Sequence, residues 1–353
     1  MMLLGSIFLL IASVLMYRKP EESWPLSLVK LLHHMKFDYL GFKEVLLDWI
    51  NRKHNKNDCP LQTGRIAIVT GGSRGIGVEI VKMLLELDME VIIACRTPSA
   101  GEEVIQQIRQ SGVKNGKAKV YRIDNASLES VKQFAAQIKK DYTEIHVLIN
   151  NAGIMFTPYS ETAEGFEVQW GVNYLSHFLL TILLLPLLKA GGVKSSQQSS
   201  RIVNVSSCAH LLGKINFKDI NNKHRFITMS AYGQSKLAQV VSTKKLQKLV
   251  KEAGYNINVY SVHPGIVCTD LFVHSFIYKY KLLLPFIFKS PRQGATSIVY
   301  AAVNKAIENN GGMYISNCLP SPEHPDALDT SIQDKLLDLS LQQVQHKNIF
   351  EYM

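Results

Sequence analysis

From residue 65 onward, short runs rich in β-branched residues alternate with longer stretches whose apolar positions recur every three or four residues. The runs are RIAIVT at 65–70, EVIIAC at 90–95, AKVYRID at 118–124, HVLIN at 146–150, RIVNVS at 201–206 and INVYSVHP at 257–264. A strand covered on both faces reads as a continuous apolar run, and helices between such strands make parallel βαβ units. The pattern therefore predicts an α/β fold, a single doubly wound domain with a mainly parallel sheet. No internal repeat interrupts it, and GGVKSSQQSS at 191–200 reads as a solvated loop.

The chain begins differently. Met1 to Tyr17 carries no charged side chain, and a helix of that length, at about 1.5 Å per residue, just crosses a thin hydrocarbon core. Arg18 and Lys19 follow the run rather than precede it, and no small-x-small cleavage site closes it. An uncleaved N-terminal hydrophobic helix is favoured over a signal peptide of a secreted protein, with a helix lying in one leaflet as the alternative. The positive-inside tendency leaves everything downstream in the cytosol. Residues 24–50 mix apolar side chains at helical spacing with Lys, His and Trp, which suits an interfacial helix and equally a helix packed on the domain surface. Residues 51–60 are polar, basic and end in Pro60, as a linker does. The organisation expected is an anchor at 1–17, an amphipathic segment and linker at 18–60, and the folded domain at 61–353.

Composition narrows the partners. With 46% hydrophobic residues the chain can bury a sizeable core. Its net charge of +10 is dispersed, without an aromatic-interleaved patch, so nucleic acid is not an expected partner. Five cysteines, none in a CxxC pair or at metal spacing with His, indicate neither a disulfide framework nor a metal site. The sequons at Asn125 and Asn204 fall in a turn and a core strand, where glycosylation would conflict with folding.

Directly after the first run comes TGGSRGIG, with Gly71, Gly75 and Gly77 ahead of a helical pattern. Glycines allow a tight turn and close backbone approach, while a helix N-terminus offers free N–H groups and a positive dipole end to a pyrophosphate. Ordinary turns also use glycine clusters, but the strand before and helix after favour a Rossmann-type dinucleotide site. Where an NAD site usually places a carboxylate, after the second run, stands Arg96, which suits the 2′-phosphate of NADP. Arg74 either flanks the same phosphate or is solvated. NADP(H) is the favoured cofactor, with NAD(H) the alternative. Asp124 could accept from the adenine amino group, cap the helix opening at Ser127, or both.

In order and spacing, TGxxxGxG, NNAG at 150–153, NVSS at 204–207, YxxxK at 232–236 and HPG at 263–265 resemble the short-chain dehydrogenase/reductases. The resemblance covers residues 65 to roughly 316 and implies a Rossmann-type, mainly parallel seven-stranded sheet. It implies a catalytic set of Asn173, Ser207, Tyr232 and Lys236. Tyr232 exchanges a proton with the substrate oxygen, Ser207, with Ser206 as the alternative, orients that oxygen, and Asn173 anchors a water toward Lys236. Tyr232 and Lys236 also count among the cofactor contacts, with Gly71, Ser73, Arg74, Gly75, Ile76, Gly77, Arg96, Asp124, Asn151, Pro264, Gly265, Ile266 and Thr269. Residues four apart share a helix face, so Lys236 is expected to lower the Tyr232 pKa from its usual value of about 10.

The apolar stretch at 271–291 matches the family's substrate cover, unless it packs as core or touches the membrane. NVSSCAHLLGKINFKDIN and WGVNYLSHFLLT look like the branch of retinol and polyprenol dehydrogenases. The resemblance implies an oxidoreductase of hydrophobic alcohols, aldehydes or ketones, at the endoplasmic reticulum or a lipid droplet, with a homodimer left open. The alternatives are a hydroxysteroid or 3-ketoacyl reductase, or a non-catalytic dinucleotide-binding sensor or scaffold at a membrane.

Overall fold

A computed structural model describes residues 24–56, 58–194, 198–223, 226–275 and 284–351. The expected anchor at 1–17 and the middle of the 271–291 cover lie outside the described residues. The chain opens on α1 (Trp24–Ile50) and then alternates strand and helix: β1 (Ile66–Thr70), α2 (Ile76–Glu86), β2 (Glu90–Cys95), α3 (Pro98–Gln110), β3 (Lys117–Arg122), α4 (Leu128–Asp141) and β4 (Val147–Asn150). After a loop come α5 (Ser176–Lys194), β5 (Ser200–Val205), α6 (Thr228–Glu252), β6 (Ile257–His263), α7 (Pro291–Val303), β7 (Tyr314–Ser316), β8 (Leu319–Pro320) and α8 (Thr330–Val344).

The sheet runs β3-β2-β1-β4-β5-β6-β7-β8. Its first seven strands are parallel, as expected, and a short eighth pairs antiparallel through Ile315 to Pro320 and Ser316 to Leu319. That addition is two residues long, too short to leave an alternation in the sequence.

Alternation along the strands divides the core. Ile68, Ile92, Leu148, Ile202 and Val259 point to the face covered by α4, α5, α6 and α8. Their neighbours Ala67, Val69, Val91, Ile93, Val147 and Ile149 point to the face covered by α2, α3 and α7. Period-two side chains on a sheet packed on both sides explain why each run is apolar throughout. Val168–Val193 is long and apolar enough to cross a membrane, but it is a core helix, 89% buried. Both sequon residues, Asn125 and Asn204, are buried and bonded to Ser176 Oγ and Thr243 Oγ1.

Strand order reverses between β1 and β4, so the connections leave in opposite directions and open a crevice at the strands' carboxyl ends. α1 lies over this end of the sheet. Its buried face carries Leu31, Leu40, Glu44 and Asp48, and it contacts both the segment after β5 and α6. Residues 24–50 are thus packed on the domain, one of the two readings their pattern allowed.

Candidate active site

The carboxyl ends of the central strands open into one cavity of about 1530 Å³. Every site residue expected from the sequence lines it except Asn173, which stands behind its wall.

The glycine turn is built by close approach. Gly71 (φ 66°) and Gly75 (φ 53°) take left-handed backbone, and a Cβ on Gly77 would stand 2.1 Å from the Gly71 carbonyl oxygen. α2 starts after Gly75 without a side-chain cap, which leaves its positive dipole end for an anion. These features fit a dinucleotide pyrophosphate. Ser73 lies in the same turn, and the Cys95 thiol nearby donates to Thr97 O at 3.3 Å. Arg74 and Arg96 are exposed at the rim.

Asp124 does not cap the following helix. Its carboxylate accepts from Ala126 N–H two residues on, at 3.0 Å, while the Ser127 hydroxyl accepts from Ser130 N–H and caps α4. The Asn151 amide donates to the Thr70 carbonyl at 2.9 Å, so its side chain braces the turn. Thr70 was not singled out in the sequence. Its hydroxyl accepts from the N–H groups of Asn151 and Ala152 and pairs with His177 Nε2. His177 is buried and held neutral, its pKa lowered to about 4.

Four elements converge on Tyr232. The Ser207 hydroxyl accepts from the Ala209 N–H at 3.2 Å on the side of the phenol, whose pKa it lowers, whereas Ser206 Oγ donates to the Lys236 carbonyl at 2.8 Å. Lys236 is 4% exposed, and its Nζ donates to Val205 O at 2.8 Å and to Gln239 Oε1 at 3.1 Å, lying 5.7 Å from the Tyr232 ring centre. Asn173 sits in a π-helical turn, Gly171–Leu175, rather than in regular α-helix. Such turns often mark functional positions. Its Oδ1 accepts from Ile154 N–H and its Nδ2 donates to Ile154 O and Ser235 Oγ. Between Asn173 and Lys236 lies Gly153, where a Cβ would come within 3.4 Å of Asn173 Oδ1 and 3.7 Å of Lys236 Nζ.

Burial dominates the electrostatics. It lowers Lys236 to about 7 and holds the Tyr232 phenol above its ordinary value, with Ser207 pulling the other way. The expected acidification of Tyr232 is therefore not what this arrangement gives. The ammonium is turned to Val205 O and Gln239, and desolvation of the phenol outweighs it. Gln239 is one turn beyond Lys236 on the same helix face, a spacing that could have revealed it.

The outer wall is apolar and includes α1. Tyr232 clusters with Met155, Ala209, Phe37, Phe156, Leu271 and Phe272. Phe37 stacks edge-on to Phe156 at 5.8 Å, and Phe156 to Tyr232 at 5.5 Å. Thr269 bonds to Leu271 N–H and opens the short helical turn carrying Leu271 and Phe272. Deeper in α1, Glu44 lies 3.7 Å from His263, whose ring burial keeps neutral at about 4, so the contact is not an ion pair. Asp48 accepts from the Ile266 N–H at 2.9 Å. Neither acid carried a sequence signal, because both partners are more than two hundred residues away.

This fold and this convergence of tyrosine, lysine and serine beside a glycine turn define a dinucleotide-dependent dehydrogenase. The short chain dehydrogenase family model matches residues 65–276, and the chain belongs to that family. It is an NAD(P)-dependent oxidoreductase acting on alcohols. Among its relatives, human polyprenol dehydrogenase is 42% identical over 262 residues, covering 73% of this chain and 78% of the relative. Mouse retinol dehydrogenase 12 is 39% identical over 257 residues, covering 72% and 78%. The solved NADP active-site complex of RhlG from Pseudomonas aeruginosa superposes with a TM-score of 0.59 at 26% identity, covering 72% of this chain and 95% of that one.

The Lys236 shift carries a stability signature. Between about 7 and the ordinary 10.5 the unfolded chain holds a proton that the folded chain has released, so stability rises with pH across that window. Urea unfolding of the dinucleotide-free protein at several pH values, against Lys236→Met, should show the wild type gaining up to about 1.4 kcal/mol per pH unit on the variant. Parallel profiles would refute the shift.

Proposed function

We propose that this chain transfers a hydride between NADP(H) and a hydrophobic alcohol or its carbonyl form at a membrane surface, the substrate being an isoprenoid of the retinol or polyprenol class. The observation that carries the reading is the Tyr232 hydroxyl, buried at the end of an open cavity among Phe37, Met155, Phe156, Ala209, Leu271 and Phe272. An apolar wall around a proton-exchanging group selects an apolar substrate and excludes water. The names of the polyprenol and retinol dehydrogenases support the same substrate class.

In this reading the bound dinucleotide supplies or accepts the hydride at its nicotinamide ring. Tyr232, which burial keeps protonated, gives its proton to the carbonyl oxygen in reduction and is left as a phenolate, the form that takes the proton of the substrate hydroxyl in oxidation, as a general acid and base. Ser207 orients the substrate oxygen beside the phenol. Lys236 offsets the charge left on the phenol and holds the nicotinamide ribose, and Asn173 anchors the proton path behind Gly153. Gly71, Ser73, Arg74, Gly75, Ile76 and Gly77 cradle the pyrophosphate. Asp124 and the backbone at Asn151 meet the adenosine, while Pro264, Gly265, Ile266 and Thr269 wall the nicotinamide. Arg96, standing where an acidic residue would read the ribose of NAD, gives NADP its preference.

The membrane part rests on the outer face of α1. Leu28, Leu32, Met35, Tyr39, Phe42, Leu46 and Trp49 recur at steps of four and three, and all are exposed, Tyr39 at 71% and Trp49 at 68%. Lys36 and Lys43 flank this stripe and are also exposed. A long apolar stripe with flanking cations suits a helix lying at a bilayer surface, and the charge-free run 1–17 precedes it. In this reading the domain lies on the cytosolic face of the endoplasmic reticulum or on a lipid droplet.

Tyr232→Phe should retain NADPH binding while turnover of retinal or a polyprenal falls about 10²- to 10⁴-fold; undiminished turnover would remove Tyr232 as the proton donor. Arg96→Ala should cut the NADPH-over-NADH preference in kcat/KM about tenfold, the scale of one lost charge-assisted contact. A preference that survives this change refutes the phosphate role. A chain lacking residues 1–20 should still co-float with liposomes, and adding Tyr39→Asp and Trp49→Asp should abolish flotation. If the truncated chain stays in the aqueous phase, the stripe is not a membrane surface.

A further inference from the structure

The inner face of α1 carries a second feature. Asp48 is buried at 7% exposure, and each of its oxygens is committed. Oδ2 accepts from the Ile266 N–H at 2.9 Å, and Oδ1 accepts from Lys289 Nζ at 2.9 Å and Asn317 Nδ2 at 3.0 Å. Lys289, itself 8% exposed, also donates to Asn317 Oδ1 at 2.7 Å and to Pro264 O at 3.3 Å. The backbone between these two holds is Gly265, at φ 91°. A Cβ on Gly265 would stand 2.6 Å from Asp48 Oδ2 and 2.6 Å from Lys289 Nζ, so the loop is drawn tight against the pair.

We propose that Asp48 is a positioning residue of the active site: with Lys289 and Asn317 it latches the Pro264–Ile266 loop, making α1 a structural wall of the nicotinamide end and not only a tether. The three latch residues lie outside the matched segment 65–276, while the loop they hold lies inside it. The latch gives a reason for a buried ion pair here. Two charges removed from water gain little net stability, but their fixed hydrogen bonds define one loop conformation, and small displacements of a positioning element cost turnover steeply. Asp48 acts only through the loop backbone.

This inference rests on the reading of residues 264–266 as the nicotinamide wall, and the test separates the two. In the full-length protein, Asp48→Ala leaves Lys289 buried without its counter-charge. The double variant Asp48→Ala/Lys289→Met removes both charges and recovers folding, yet still leaves the Ile266 N–H without its acceptor. Asp48→Asn keeps an acceptor oxygen and should fall between wild type and the double variant. Two readouts are taken: hydrogen exchange of the peptide covering 264–270, and the NADPH Kd with kcat on retinal. The expected result for the double variant is faster exchange in that peptide, with NADPH Kd raised or kcat lowered about tenfold or more, at a melting temperature close to wild type. Exchange unchanged from wild type overturns the latch. Faster exchange with wild-type Kd and kcat overturns its role in the site. Wild-type protein that binds no NADPH defeats the wall reading while exchange still reports the latch.

Discussion

A lysine ammonium with almost no access to water, set where β5, α6 and the π-helical turn meet, is the constraint around which the site is built. Taking such a charge out of water costs several kcal/mol, and two neutral acceptors offset only part of it. The surrounding geometry answers to that cost. Val205 ends its strand with a carbonyl aimed at Nζ, Gln239 supplies the second acceptor and is itself bonded to the Asn173 carbonyl, and Ser206 ties the backbone of Lys236 to the strand end. A titratable group so strongly shifted, beside a cavity and a buried phenol, is what acid–base chemistry near neutral pH requires and what packing alone would avoid.

The same end of the sheet explains α1. The candidate catalytic groups sit on strand ends and helix starts, which leaves the outer side of the cavity open, and α1 closes it with Phe37 and Leu40. One helix therefore presents three chemistries. The Phe37 ring faces the cavity, buried acids face β6 and the loop after it, and a stripe of large apolar residues faces outward. For the proposed hydrophobic substrate, entry beside this helix avoids passage through water, which fits the apolar surround of Tyr232.

What the sequence revealed follows from how local each signal is. The glycine turn, the strands and the Tyr232–Lys236 pair each depend on residues within a few positions of one another, so period and spacing expose them. Asp48 and Glu44 were invisible, because their meaning comes from Ile266, Lys289 and His263 across the chain. The π turn at Asn173 replaces one helical register by another without a compositional mark, and β8 is too short for a pattern. Helical spacing correctly put Lys236 one turn from Tyr232 but could not show which acceptors its ammonium would choose. The direction of the phenol's shift was misjudged for that reason.

The most direct measurement is nuclear magnetic resonance titration of the dinucleotide-free protein carrying labelled lysine and tyrosine side chains, with Lys236→Met and Tyr232→Phe to assign the two signals. Burial of both groups predicts that Lys236 titrates at about 7 and that Tyr232 stays protonated above the ordinary 10.0. Titration of both at their ordinary values, 10.5 and 10.0, would contradict a desolvated pair and the site built upon it.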